Sequence, residues 1–272
     1  MYKFLIPLII LPVIFNMGVA FGDANFKSVG DVGCKTAAKQ NLANLAKDGN
    51  SFFGAGDYSY KCSSSSIKPL WDKVPSKQLA LGNHECEKSG QDALKVKSGY
   101  FSNGGCGRGY GAFIRGNSVA VFVLNDYTSY KSGSSQYNYV ANKLKQVSNM
   151  SNIIDIVFVF HEPIYPVPCS GSHCHGLEKA AFKSTYEPLI KQYHALVVQA
   201  HTHLTAFGTI NGVRSAECGG GGEDGTSLNG NGAYTYVSNK MGFCYFHIHN
   251  GNTVVDHVGT NGQILHTHTW NN

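Results

Sequence analysis

The sequence carries little charge and very little arginine. Of its 272 residues, 14% are Asp, Glu, Lys or Arg, and the only arginines are Arg108, Arg115 and Arg214. A formal charge of +5 is a weak bias, and no basic stretch is interleaved with aromatics, so nucleic acid is excluded as a partner. The cysteines never form a CxxC pair, which excludes a structural zinc knuckle. After the first twenty residues no apolar run is long enough to span a bilayer.

What is present begins with an export signature. Met1-Tyr2-Lys3 places one positive charge ahead of an apolar run from Phe4 to Phe15, and Gly18 and Ala20 supply small residues before a cleavage point. The run carries Pro7 and Pro12 and is short for a membrane span. Residues 1–20 therefore read as a signal peptide cleaved after Ala20. Residues 21–272 read as one domain, secreted or extracytoplasmic, with no membrane attachment after cleavage. Eight cysteines behind such a signal favour disulfides. The expected pairs join neighbours in sequence: Cys34 with Cys62, Cys86 with Cys106, Cys169 with Cys174, and Cys218 with Cys244.

Taken in order, the chain alternates short apolar strands with helices. Asn25–Val29 predicts a strand that ends in Gly30-Asp31-Val32-Gly33, and Ala38, Leu42, Leu45 and Ala46 predict a helix over 36–47. The glycine-bounded run Ser51–Ala55 predicts a buried strand ending in Gly56-Asp57-Tyr58-Ser59-Tyr60. The polar run Ser63–Ser66 reads as loop. Gln78–Leu81 runs into Gly82-Asn83-His84-Glu85, and a glycine-rich surface segment follows at 99–111. Residues 113–115 and 119–124 flank Gly116-Asn117 as a hairpin. Tyr137, Val140, Ala141, Leu144 and Val147 predict an amphipathic helix over 134–150.

Ile153–Phe160 is nearly all apolar, as a strand buried on both faces would be, and it ends in His161-Glu162-Pro163. A helix is expected over 177–193 despite Pro188. Ala195–Gln199 is the next strand, ending in Ala200-His201-Thr202-His203. Short β segments are expected at 205–213, 233–238, 243–249, 253–258 and 263–269, with a mobile glycine-rich connection over 216–232.

Metal-competent groups thus recur where successive strands end: Asp31, Asp57, Asn83, His161 and the His201/His203 pair. Open α/β sheets bind ligands beyond the carboxyl ends of their strands. Two neighbouring cations need a bridging carboxylate, further oxygen donors and imidazoles, and this inventory supplies them without thiolate.

The order GD, GD, GNHE, a lone His after an apolar strand, then HxH resembles the calcineurin-like metallophosphoesterase superfamily. Asp57 with Tyr60 three residues on, and Gly33 where most of the superfamily has histidine, resemble its purple acid phosphatases. The likeness runs from about Asn25 to Phe207. It implies an α/β fold, a four-layer α/β/β/α sandwich of two mixed sheets. It further implies two metal ions. Fe(III) would sit with Asp31, Asp57, Tyr60 and His203, and Fe, Zn or Mn with Asp57, Asn83, His161 and His201, Asp57 being shared. With glycine at 33, Tyr60 would be the compensating donor.

His84 resembles the family histidine that contacts substrate or orients the nucleophile, and Glu85 and Glu162 read as hydrogen-bond acceptors behind the ligands. Ala200 departs from the family's usual glycine. His173 and His175 could reach the mouth of the site and protonate a leaving alcohol; they read equally as surface-loop histidines held by a local disulfide. His247/His249 and His266/His268 alternate along strands, as exposed strand histidines or as a second metal site. The implied activity is a secreted phosphomonoesterase acting on small phosphoesters by in-line attack of hydroxide. The alternatives are a phosphodiesterase or nucleotide hydrolase on the same metals, and an inactive cell-surface metal-binding module.

Overall fold

The computed structural model describes residues 24–87, 106–174, 179–249 and 251–271, so the signal-peptide reading lies outside the described residues. Three parallel strands come first among the described residues: β1 (Ala24–Ser28), β2 (Ser51–Ala55) and β3 (Lys77–Ala80), with helices α1 (Thr36–Leu45) and α2 (Ser64–Trp71) between them. A short helix α3 (Asn83–Cys86) follows, then the hairpin β4 (Gly111–Arg115) and β5 (Val119–Val123), and helix α4 (Ser135–Ser148). Next come β6 (Asp155–Val159), the two-residue β7 (Cys169–Ser170), helix α5 (Ala180–Gln192) and β8 (Leu196–Gln199). The remainder is β9 (Thr205–Ile210), β10 (Val213–Cys218), β11 (Ser227–Leu228), β12 (Tyr236–Ser238), β13 (Gly242–His249), β14 (Asn252–Gly259) and β15 (Ile264–Asn271).

These strands form two mixed sheets, ordered β15-β14-β13-β1-β2-β3 and β12-β9-β10-β8-β6-β5-β4. Their facing sides make the central core. Phe26 stacks on Phe246 at 4.7 Å and meets Phe53 edge-on at 5.4 Å, against Val121, Val159, Val198 and Phe207 of the other sheet. Burying each phenylalanine fully contributes roughly 1.5–3 kcal/mol. The outer face of the first sheet is covered by α1 and α2 through Leu42, Ile67 and Trp71; that of the second by α4 and α5 through Leu144, Phe182 and Tyr186. The result is the α/β/β/α sandwich expected from the sequence.

Three local readings are corrected. Ser63–Ser66 is mostly the first turn of α2: Ile67 and Trp71, four apart, share its buried face, and the exposed serines ahead of them mask that stripe in the sequence. Residues 205–213 are not one strand but all of β9, a two-residue turn and the first residue of β10. Asn211 and Gly212 both have positive φ, 52° and 80°, and make the tight turn that doubles β9 back into β10. Nor is Gly219–Gly222 a free connection, because all four glycines are buried. Gly219 N donates to Leu204 O at 2.8 Å, and Gly221 N to Gly30 O at 3.1 Å. A Cβ on Gly221 would collide with Gly30 O. Here glycine serves close backbone approach.

Candidate metal centre

Every site turn leaves the carboxyl end of a parallel strand, and the two sheets present those ends along one edge: β1 leads to Asp31, β2 to Asp57, β3 to Asn83, β6 to His161 and β8 to His201. Asp31, Asp57, Tyr60, His201 and His203 all hold positive φ, between 48° and 78°. Non-glycine residues avoid this region, and where they cluster in it the surrounding structure is holding them for a purpose. Four disulfides join the expected cysteines. Cys34–Cys62 ties the Asp31 turn to the Tyr60 turn, and Cys218–Cys244 joins β10 of one sheet to β13 of the other.

The structure brings all seven candidate ligands together in two touching groups. In one, the Tyr60 hydroxyl lies 3.0 Å from Asp31 Oδ1 and 3.0 Å from His203 Nε2. Tyr60 therefore faces the site and not the core. In the other, His161 Nε2 lies 3.1 Å from Asn83 Oδ1, 3.1 Å from His201 Nδ1 and 3.4 Å from Asp57 Oδ2. Asp57, His161 and His201 have the geometry to hold an ion.

The far nitrogens of two rings fix their orientation. His161 Nδ1 donates to Ala55 O at 2.7 Å and His203 Nδ1 to Asp224 O at 2.6 Å, so each turns Nε2 toward the centre. The arrangement then asks too much of protons. One hydrogen on His161 Nε2 cannot serve three acceptors, and one on the Tyr60 hydroxyl cannot serve two. A cation in each group can, so the donor set fits two metal ions.

The electrostatics agree. Burial pushes the Asp31 carboxyl up to about 7, aided by the charge of Asp57. Burial would also raise Asp57, but His161 and His84 override it and hold it near 2. Burial opposes charge on His161, yet Asp57 keeps its pKa well above the ordinary value. His201 is pushed down to about 3 by burial and by His161. Two buried acids so close need positive charge between them, and in the absence of an ion protons supply it.

His84 lies at the rim, its ring centroid 4.0 Å from that of Tyr60 and its backbone N–H donating to Asp57 Oδ1 at 2.9 Å. Glu85 accepts from the backbone N–H of Asp57, Tyr58 and Gly82, which locks the Asp57 turn to the Asn83 turn. Glu162 accepts from the Tyr127 hydroxyl and pairs with Lys179 at 3.0 Å. His173 is half-buried and stacks on His203 with ring centroids 3.9 Å apart; burial and His203 lower its pKa. The disulfide Cys169–Cys174 carries it there. His175 lies outside the described residues.

Sequence reasoning missed Glu223. Its Oε2 occupies the space a side chain at Gly33 would need, and its Oε1 takes Lys35 Nζ at 2.8 Å. No local pattern announces it, because it stands behind the glycine run. The strand histidines do not assemble: His247 pairs with Asp256 at 3.2 Å, His266 stacks on Tyr236 at 3.9 Å, and His268 packs on Trp270 at 4.5 Å. Among the described residues they form no metal-competent cluster.

Two mixed sheets packed between helices, with such turns gathered at one edge, are the calcineurin-like metallophosphoesterase fold. No family model matches the chain. The structure superposes on the purple acid phosphatase PPD1 from yellow lupin (Lupinus luteus) seeds with a TM-score of 0.72 at 15% identity, covering 91% of this chain and 53% of that one. It superposes on GAP50, the anchor in the inner membrane complex of Plasmodium, with a TM-score of 0.67 at 15% identity, covering 92% and 89%. In sequence it is 26% identical over 197 residues to the probable purple acid phosphatase 20 of Arabidopsis thaliana, 65% of this chain and 45% of that protein. The chain thus spans about half the length of these two plant phosphatases. In fold and in sequence the chain resembles the purple acid phosphatases.

Proposed function

We propose that this chain is an exported phosphomonoesterase of purple acid phosphatase type. One observation carries the reading: two buried groups of oxygen and imidazole donors face each other with more acceptors than protons can satisfy. Asp31, Asp57, Tyr60 and His203 would hold Fe(III), and Asp57, Asn83, His161 and His201 would hold Fe, Zn or Mn. When bound, such a pair supplies a water of lowered pKa and positive charge for phosphoryl oxygens.

The chain's own residues do the rest. Asp57 contacts His161, its charge also acts on Asp31 and Tyr60, and it would be shared between the ions. His84, at 15% side-chain exposure and 3.9 Å from Asp57 Oδ2, stands where it can meet a phosphoryl oxygen. His173, stacked over His203 at the mouth, would give its proton to the departing alkoxide. His175 would assist it. Four disulfides support export, and no helix among the described residues is long and apolar enough to cross a membrane.

The test is hydrolysis of nitrophenyl phosphate and bis-nitrophenyl phosphate by metal-loaded protein and by Asp57→Ala. Monoester turnover that disappears with Asp57 supports the reading, whereas a preference for the diester moves it to a phosphodiesterase. A second reading, an inactive module, has the likeness to GAP50 in its favour, since this chain covers most of that protein. Metal-loaded protein inert toward a broad phosphoester panel would establish it.

A further inference from the structure

The two loops that carry His161 and His201 are joined by a buried polar network that the metal chemistry itself does not require. Its centre is Glu217 on β10, wholly buried, and among the described residues its hydrogen bonds come from neutral donors. Glu217 Oε1 accepts from Thr202 Oγ1 at 2.7 Å and from Thr202 N at 3.4 Å. Thr202 is the residue between the two histidines of the turn. Glu217 Oε2 accepts from Gln199 Nε2 at 3.0 Å.

Gln199 extends the network to the other loop. Its Nε2 also donates to Tyr165 O at 2.6 Å, and its Oε1 accepts from Ile164 N at 3.0 Å. Those contacts fix which way the amide points. The Tyr234 hydroxyl closes the ring by donating to the same Tyr165 carbonyl. Among the described residues, the last backbone hydrogen bond between the two loops is from Ala200 N to His161 O, at 2.9 Å. Beyond it, side chains alone hold 161–165 and 200–204 together.

An ionisable residue without a cationic partner is costly to bury, so its retention in an apolar layer calls for a local reason. We propose that Glu217 is a positioning residue for the second ion position. It pins Thr202 directly, and through Gln199 it pins the loop after β6. His161 Nε2 and His201 Nδ1 are thereby held 3.1 Å apart. The inference rests on the metal-pair reading of the site. Outer partners of this kind typically set 10–100-fold in metal affinity.

The experiment is calorimetric titration of metal-stripped protein with Zn(II), comparing wild type with Glu217→Ala, Thr202→Val and Thr202→Ser, with melting temperature recorded for each. Wild type is expected to bind two equivalents. Glu217→Ala should weaken one of the two binding steps roughly 10–100-fold. Thr202→Val, which removes only the hydroxyl, should weaken the same step in the same direction. Thr202→Ser, which keeps the hydroxyl and loses the methyl, should stay within about threefold of wild type. If Glu217→Ala does not fold, the two Thr202 variants read the same bond.

Variants that melt lower but bind both ions as wild type does would overturn the proposal and leave the metal pair standing. Wild type that binds no Zn(II) would overturn the metal pair, and the proposal with it.

Discussion

The tripeptide His-Thr-His occurs twice in this chain, at 201–203 and at 266–268, with opposite outcomes. In the first copy both histidines have positive φ, 78° and 59°, and the turn swings their rings toward the two halves of one buried site. In the second the chain is extended in β15, so both rings lie on one face and meet aromatic neighbours instead of each other. The same three residues give a candidate ligand pair or an aromatic ladder, according to backbone alone. What separates them is whether the strand has already ended.

The strongest way to break that contrast is to remove the rings in each copy. His203→Ala and Asp57→Ala should abolish metal binding and reduce phosphoester hydrolysis to background, measured by elemental analysis and initial rates. The double variant His266→Ala/His268→Ala should keep its full metal content.

A smaller effect sharpens the same point by loosening what holds the turns. Cys34→Ala/Cys62→Ala frees the Asp31 turn from the Tyr60 turn and should lower stability by about 3–4 kcal/mol in urea unfolding. Gly219→Ala would place a methyl 2.7 Å from Asp31 Oδ2 and 3.1 Å from His203 N, beneath the first copy. A loss of about 1–3 kcal/mol is expected, with weaker metal binding.

The pH dependence of stability distinguishes the two copies further. Burial raises Glu217, beneath the first turn, to about 8 from an unfolded value near 4.5, against the hydrogen bonds from Thr202 and Gln199. The folded state then holds a proton that the unfolded state has lost. Stability from this group is fully present below the unfolded pKa and is lost as pH rises through the folded one, by at most ~1.4 kcal/mol per pH unit. Glu217→Gln should flatten that slope between about pH 4.5 and 8. Loss of His266 and His268, at the half-exposed second copy, should cost only about 1 kcal/mol, through the stacking on Tyr236 and Trp270. Thermal melts across pH would show both effects.

Much of this was legible in the sequence. The parallel strands read as apolar runs because both faces are buried, and the polar residues at their ends stood out against them. The cysteine pairs followed from proximity in the chain, since each pair closes a single loop. Helix α2 was hidden because its serines face water. The run Gly219–Gly222 was misread because a glycine kept for close approach looks the same in one dimension as a glycine kept for freedom. Glu223 beside Gly33, and Glu217 beneath Thr202, could not be found at all, for each acts on a residue far from it in the chain.

By itself the sequence determined which residue types stand at the ends of which strands, since strand propensity and hydrophobic periodicity are local properties. Only the tertiary structure decided that Asp31, Asp57, Tyr60, Asn83, His161, His201 and His203 share one centre, and that His266 and His268 do not. Convergence depends on sheet order, on the common edge the two sheets present, and on backbone held at positive φ by contacts from distant segments. None of these is encoded within reach of the residue it positions.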